Sequence, residues 1–199
     1  MDIDRAKEML KRRKARYKEA SYATEKDYWR HICEYYYCEH ASDNKVRALV
    51  IPCKNGGRNI ELQFTENNGN FIFTELYFGS FCFELSESTQ QEEEQERELN
   101  NHLDNLLEGR YTVVTAADLN AGRLVFDGFS PDMPPDTKQR LADRLGKANS
   151  IWGRLGRKNF AYEIYDNESI LSGRFNSINK FWKATEILRG TDREEEPDE

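Results

Sequence analysis

The sequence predicts an α+β fold, in which helices pack on one face of a mainly antiparallel sheet of about six strands. Segments with the spacing of amphipathic helices are interspersed with short strand-like runs, in the order helix pair, strand meander, helix, strand pair, helix, strand, helix. The loops between successive strands are too short for the crossover that parallel strands need. We expect one domain over residues 1–190, with N-terminal helices at 3–40 and the meander and remaining helices at 45–190.

A pair of helices is predicted at the N-terminus. Residues 3–19 have apolar side chains at helical spacing, and lysine and arginine crowd the remaining faces. A second helix is expected to begin near Thr24, which can cap it, with Glu25 and Asp27 in the first turn, where the helix dipole favours acids. The face of this helix that is expected to be buried carries Tyr28, Ile32, Tyr35 and Tyr36.

The predicted strands begin with KVRALVIPC at 45–53, which is rich in β-branched residues. The run at 60–65 alternates apolar and polar residues, which is the half-buried strand pattern. Its polar side carries Glu61, Gln63 and Thr65. FIFTELYF and FCFEL follow, and Gly79-Ser80 between them indicates either a tight hairpin loop or a bulge in one long strand. Further strands are predicted at YTVVTA, RLVFDGF and FAYEIYD.

Three more helices are predicted after the meander. The first runs from a cap at Ser86 or Ser88 to Gly109, which ends it. Its buried edge is formed by Leu99, Leu103 and Leu106. The second follows the Pro-rich break SPDMPPD, and the C-terminal helix occupies FNSINKFWKATEILRG. Residues 191–199 form an acidic tail that we expect to be disordered, because it has almost nothing to bury.

Charge and composition narrow the classes of function. The net charge of −7 and the pI near 5.2 make the chain a poor candidate for nucleic-acid binding, since phosphates attract basic surfaces. The same charge suits a basic protein partner. No apolar run approaches the length of a membrane span, and the N-terminus lacks the apolar core of a secretory signal. We therefore expect a cytoplasmic protein, not bound to membranes, with reduced cysteines.

The stretch HICEYYYCEH at 31–40 raises the question of a metal site, because it holds two histidines and two cysteines. Cys33 and Cys38 are five residues apart, and this separation rotates them away from each other on a helix. Cys38, His40 and Cys53 can meet if the helix ends between the first two, but nothing in the spacing requires it. The sequence leaves that set open, and we expect neither a metal nor another cofactor.

The common catalytic motifs, such as a Walker A loop, G-x-S-x-G or H-E-x-x-H, do not occur in the sequence. His102 is the best candidate for a catalytic base, but the sequence fixes no nucleophile or acid beside it. Asp127, Asp132 and Asp136 flank the turn in DGFSPDMPPD, where they suit either a divalent ion or simple turn formation and helix capping. A metal-dependent hydrolase using His102 or the Asp127–Asp136 loop is the enzyme alternative to a protein without catalytic activity.

Acidic side chains are the predicted contacts for a partner. Four glutamates crowd the start of the third helix, and two aspartates precede the fourth. Carboxylates beside exposed aromatic rings form a surface that speeds encounter with a basic protein and discriminates between partners. The residues assigned to partner binding are Glu92, Glu93, Glu94, Glu96, Asp127 and Asp132.

YFGSFCFEL at 77–85, the acidic helix after it and FAYEIYDNES at 160–169 resemble small acidic bacterial proteins of the polymorphic-toxin immunity type. The resemblance implies a cytoplasmic protein that has no enzymatic activity and blocks a toxin domain by binding it. Its acidic groups would occupy positions where a toxin nuclease or other nucleic-acid enzyme holds phosphates. The basic first helix departs from this pattern. An inhibitor of a host defence complex, supplied by a phage or mobile element, is the alternative assignment of the partner.

Overall fold

The computed structural model describes residues 1–32, 42–83, 85, 92–147 and 159–186. Five helices and nine strands lie within these residues, which confirms the predicted α+β class. The helices are α1 (Ile3–Arg12), α2 (Glu25–Ile32), α3 (Glu92–Leu107), α4 (Pro135–Lys147) and α5 (Ile178–Thr185). The strands are β1 (Lys18–Tyr22), β2 (Val46–Ile51), β3 (Ile60–Asn67), β4 (Asn70–Phe78), β5 (Phe81–Phe83), β6 (Tyr111–Asp118), β7 (Arg123–Pro131), β8 (Phe160–Tyr165) and β9 (Ile170–Phe175).

The strands form two sheets, where the sequence predicts one sheet of about six strands. The first has the order β1-β2-β3-β4-β5 and the second the order β7-β6-β8-β9. The chain divides into two compact units: unit 1 comprises Met1–Arg110 with Tyr165–Ser169, and unit 2 comprises Tyr111–Ile164 with Ile170–Glu199. The single domain over 1–190 stays a prediction, and the predicted tail lies outside the described residues.

The sheet of unit 1 is an antiparallel meander, as the short loops predict. Asn68 and Gly69 connect β3 to β4 with φ of 51° and 82°, the left-handed conformations that a two-residue hairpin loop requires. Gly79 has φ of 57° and connects β4 to β5 together with Ser80. The Gly-Ser pair is therefore a hairpin loop and not a bulge.

The predicted helix over 3–19 is wrong beyond Arg12. The helix ends there, Lys14 turns the chain with φ of 54°, and Lys18–Tyr22 forms strand β1 on the edge of β2. The reason is tertiary, because the backbone groups of β2 need hydrogen-bond partners that lie far away in the sequence. A short strand with exposed charged side chains also suits the edge of a sheet.

The remaining helix predictions in unit 1 are confirmed where the residues are described. The backbone N–H of Asp27 donates to the hydroxyl of Thr24 at 3.2 Å, which is the predicted cap of α2. Gly109 follows α3 with φ of 75°, as expected of the residue that ends a helix. The predicted buried edge of α3 is buried at Leu99, Leu103 and Leu106.

Helices cover both faces of the first sheet at β3. On one face the ring of His102 in α3 lies 4.9 Å from the ring of Phe83, between centroids. On the other face the ring of Tyr28 in α2 lies 5.9 Å from the ring of Tyr77. The register of β4 against β5 places Phe83 and Tyr77 on opposite sides of the sheet. The helices of unit 1 therefore lie on both sides of the sheet, where the sequence predicts one.

This arrangement overturns the half-buried pattern predicted for β3. Glu61 is only 4% exposed and Gln63 is 0% exposed, so the polar side of the strand is covered like the apolar side. Alternation in a strand separates two faces, but it does not reveal whether the polar face meets water or a second layer.

In unit 2, β6 and β7 form an antiparallel hairpin, and one face of the sheet packs against α4 and α5. The core of this layer includes Val114, Ala116, Leu141, Leu145, Phe160, Ile164, Phe175 and Phe181. Strand β9 was not predicted, because the serine, glycine and arginine in ILSGRF do not resemble a strand. The ring of Tyr162 needs the glycine, since a Cβ on Gly173 would lie 2.7 Å from its hydroxyl oxygen.

Replacing Gly79 with alanine is expected to destabilise the protein by about 2–4 kcal/mol in urea unfolding. The left-handed φ disfavours alanine, and its Cβ would lie 2.7 Å from the hydroxyl oxygen of Tyr165. That hydroxyl donates a buried 2.8 Å hydrogen bond to the carbonyl of Phe78.

The matched control is Gly69→Ala, where φ is 82° and nothing lies within 4 Å of the added Cβ. We expect a loss of about 1 kcal/mol there, from backbone conformation alone. Equal losses in the two variants would show that the Tyr165 contact is not responsible.

Candidate functional site

Arginines engage part of the acidic surface predicted on α3. The Nη2 atom of Arg5 in α1 lies 2.6 Å from Oε2 of Glu96. Within α3, Arg97 Nη2 lies 3.1 Å from Oε1 of Glu94. Two of the four predicted glutamates therefore already have a cationic partner inside the protein.

Arg13, just after α1, makes the most buried of these ion pairs. Its side chain is 18% exposed, and its Nε and Nη2 atoms lie 2.6 and 3.1 Å from the two carboxylate oxygens of Asp104 in α3. Nη2 also donates to the side-chain oxygen of Asn100 at 2.7 Å. A bidentate contact therefore links the C-terminal end of the basic first helix to the acidic third helix. The basic first helix is the feature that departs from the immunity-type pattern.

The exposed members of the predicted set lie in both units. Glu93 is exposed in unit 1, and the side chain of Glu92 lies outside the described ones. Asp127 and Asp132 are exposed in unit 2. Asp127 lies in β7 on the same face as Phe129, which is 42% exposed, and Asp132 follows the strand with φ of 48°.

Strand β7 is the terminal strand of its sheet and pairs, among the described strands, only with β6. On its core face, Phe126 contacts the ring of Trp182 in α5, with centroids 5.6 Å apart. Trp182 is 41% exposed, while Phe129 lies on the opposite face of the strand. Arg123 is the only cation in residues 123–136. We call the exposed set the β7 surface; it consists of Asp127, Phe129, Asp132, Asp136 and Trp182.

The residues of the hydrolase alternative do not gather into one site. Asp127 lies within β7, Asp132 in the turn after it and Asp136 in the first turn of α4. In the described ranges, no three His, Cys, Asp or Glu side chains lie close enough together to hold a metal ion. His102 is half-buried against Phe83, and burial lowers the pKa of its imidazole, which favours the neutral form.

Of the open set Cys38, His40 and Cys53, only Cys53 falls within the described residues. It is a free cysteine, and burial raises the pKa of its thiol to about 11. Since the thiolate is the form that binds metals, this environment opposes metal binding by Cys53 at neutral pH. Cys38 and His40 lie outside the described residues.

Sequence reasoning missed a layer of polar and aromatic side chains between α2 and the first sheet. We call it the buried polar layer; its members are Tyr22, Tyr28, Trp29, His31, Glu61, Gln63, Glu75 and Tyr77. Within it, Nε2 of His31 lies 3.1 Å from Oε1 of Glu61. The Tyr77 hydroxyl donates to Oε2 of Glu75 at 2.5 Å. The signal in the sequence was the pair Tyr28 and Trp29 in α2, because two adjacent large aromatic side chains need a broad surface to cover them.

Three oxygen atoms of this layer have no hydrogen-bond partner among the described residues. They are the hydroxyl of Tyr28, Oε2 of Glu61 and Oε1 of Gln63. A buried polar atom without a partner typically costs about 1–3 kcal/mol, so such atoms are uncommon. Burial raises the pKa of Glu61, although the charge of His31 and its hydrogen bond act in the opposite direction. Burial also raises the pKa of the Tyr28 hydroxyl.

No protein-family model, curated protein or solved structure matches this chain. The resemblance to immunity-type proteins therefore stays a prediction. No helix in the described part of the chain is long and apolar enough to cross a membrane.

Replacing Arg13 with lysine is expected to lower the free energy of unfolding by about 1–2 kcal/mol, because a lysine ammonium cannot reproduce the forked contact with Asp104 and Asn100. The matched control is Arg5→Lys. The Arg5 side chain is 63% exposed, and an exposed ion pair contributes little, so we expect a change below about 0.5 kcal/mol. Urea unfolding of both proteins checks this difference, and equal effects would contradict it.

Iodoacetamide is expected to alkylate Cys53 at about pH 8 at least about 100-fold more slowly in the folded protein than in urea. The reason is that a thiol with a pKa of about 11 is almost entirely protonated at that pH. Peptide mapping by mass spectrometry assigns the modified cysteine. Similar rates in folded and unfolded protein would show that the thiol is ionised and accessible.

Proposed function

We propose that this chain is a non-catalytic, cytoplasmic binding protein that inhibits a basic protein partner, in the manner of an immunity protein acting on a toxin nuclease or another nucleic-acid enzyme. The observation that supports this proposal best is the β7 surface, where the exposed ring of Phe129 shares a face of a terminal strand with the exposed carboxylate of Asp127.

The rings of the β7 surface have the character of interface anchors. Phe129 and Trp182 are two of the three large apolar side chains that are exposed among the described residues, the third being Ile72. Large aromatic side chains that leave water on binding dominate the energy of many protein interfaces. Two such rings on opposite sides of one edge strand suit a partner that grips the edge of the sheet.

The carboxylates of the β7 surface supply the electrostatic part of the proposal. Asp127, Asp132 and Asp136 are exposed, and the segment that holds them has Arg123 as its single cation. Negative charge beside an apolar anchor accelerates the approach of a basic protein and opposes the approach of acidic ones. A nucleic-acid enzyme is a suitable partner, because its binding surface is built to hold phosphates.

The α3 glutamates rank below the β7 surface as contacts, because none of the large apolar side chains that are exposed among the described residues lies on α3. Glu94 and Glu96 are paired with arginines of the same unit, so a partner that binds them has to compete with an existing cation. Glu93 is the predicted α3 residue that stays exposed in the described part of the helix.

The proposed function can be tested with a panel of purified basic nuclease domains. Each domain is assayed for cleavage of RNA or DNA with and without the protein, and association is measured at low and at physiological salt. We expect stoichiometric inhibition of at least one domain, with an association rate that falls as salt is added. Inhibition that does not depend on salt would contradict the electrostatic part, and a panel without inhibition would contradict the partner class.

With an inhibited domain in hand, Phe129→Ala is expected to weaken binding about 10- to 100-fold, mainly through faster dissociation. The double variant Asp127→Lys with Asp132→Lys is expected to slow association about tenfold at low salt. Asp143→Lys, at an exposed position of α4, is the control and changes the rates less than about twofold.

Binding by these variants also shows whether the partner docks on the β7 surface or on α3. Unchanged binding by Phe129→Ala and by the double aspartate variant would remove the β7 surface as the interface. If Glu93→Lys slows association instead, α3 is the docking element.

A further inference from the structure

We propose that Glu61 is the proton-sensitive group of a conformational device that holds α2 on the first sheet. With the Glu61 carboxyl protonated, α2 stays packed over the buried polar layer. When the carboxyl ionises, α2 loosens and uncovers Tyr28 and Trp29. This inference is independent of the β7 surface and of the proposed partner.

The first support is a buried carboxylate oxygen without a hydrogen bond. Oε2 of Glu61 and Oε1 of Gln63 have no hydrogen-bond partner among the described residues, and both are acceptors when Glu61 is ionised. A proton on Glu61 converts one of these two acceptors into a donor. Glu61 and Gln63 lie on the same face of β3, so the added donor lies on the face that carries the second acceptor.

The second support is the charge around the carboxyl. Among the described residues, the titratable groups around Glu61 in this layer come from four elements. They are Glu25, Tyr28 and His31 of α2, Tyr22 of β1, and Glu75 and Tyr77 of β4, with Cys82 of β5 near Tyr28 and Tyr77. His31 is the one group of this set that can become positive. Burial raises the pKa of Glu61 despite His31, and it also raises the pKa of Glu75, so neither carboxylate is fully compensated.

The third support is the way in which α2 is held. The described part of the helix, Glu25–Ile32, depends on its tertiary contacts, because most helical stability in proteins comes from packing. Its contacts with the sheet run through the polar layer, where Tyr28 and Trp29 pack on Tyr77 with ring centroids 5.9 and 5.5 Å away and His31 reaches Glu61. A change in the protonation of Glu61 therefore acts directly on the attachment of α2.

The direction of the pH dependence follows from the raised pKa. The folded protein binds the Glu61 proton more tightly than the unfolded chain, whose carboxyl has the ordinary value of 4.5. The stabilisation is therefore complete below that value and is lost as the pH rises through the folded-state pKa. Between the two values, the unfolding equilibrium constant is expected to rise up to about tenfold per pH unit from this group.

A carboxyl-¹³C NMR titration of the full chain measures the Glu61 proton directly. Amide hydrogen exchange over α2, corrected for the intrinsic pH dependence of exchange, measures the attachment of the helix. We expect Glu61 to titrate above 4.5 and the protection of α2 to fall over the same pH range. Titration near the ordinary value, or α2 protection that does not follow the titration, would overturn the proposal.

Glu61→Gln mimics the protonated carboxyl, and we expect it to keep α2 protected over the pH range in which wild-type Glu61 titrates and to remove the Glu61 part of the pH dependence. Glu66→Gln, on the same strand in a surface ion pair with Lys45, is the control and keeps the dependence. The raised pKa of Glu75 adds a pH dependence of the same sign in both proteins. The wild type and Glu61→Gln are therefore compared at each pH, so that the contribution of Glu75 cancels.

His31→Ala provides a readout that a purely structural role would not give. Because His31 lowers the pKa of Glu61, its removal is expected to move the Glu61 titration to higher pH. A titration that stays in place would contradict the proposed coupling. If Glu61→Gln fails to fold, the wild-type titration and the His31→Ala shift still decide the question.

Discussion

Burial of strand β3 on both faces is the constraint on which unit 1 depends. Every side chain from Ile60 to Phe64 is buried, so the sheet needs a helical layer on each side. The apolar side is satisfied by packing alone. The other side brings Glu61 and Gln63 out of water, and their hydrogen bonds then have to come from the layer that covers them. The attachment of α2 therefore depends on the hydrogen bonds and charges of the buried polar layer.

The net charge of the chain says little about which charges meet a partner. Arg5 and Arg13 hold carboxylates of α3, so a basic helix and an acidic helix neutralise each other inside unit 1. Charges that are already paired within the protein contribute to the fold. Removing one member of such a pair leaves the opposite charge without its hydrogen bonds. The β7 surface differs, because the exposed ring of Phe129 lies on the same face of the strand as the exposed carboxylate of Asp127. Neither the ion pairs of α3 nor the surroundings of the β7 carboxylates can be inferred from the amino-acid composition.

The sequence predicted the features that depend on neighbouring residues in the chain, and it failed where distant residues decide the structure. The end of α3 at Gly109 follows from a backbone conformation that few residues other than glycine adopt, and it was predicted. Strand β1 and the burial of Glu61 depend on distant neighbours, so local patterns gave the wrong answer there. The β7 carboxylates were named from charge and expected exposure, whereas the place of Asp127 beside Phe129 required the register of a terminal strand.

The exposed and the buried carboxyl groups of this protein differ in what controls their charge interactions. The exposed Asp127 and Asp132 interact through water, where salt screens their charge over about 10 Å. Glu61 is shielded from the solvent, so its charge is governed by burial and by the proton. We therefore expect salt to affect the proposed encounter at the β7 surface and pH to affect the proposed change in the attachment of α2. The two proposed responses are separate, because the exposed carboxylates and Glu61 belong to different elements.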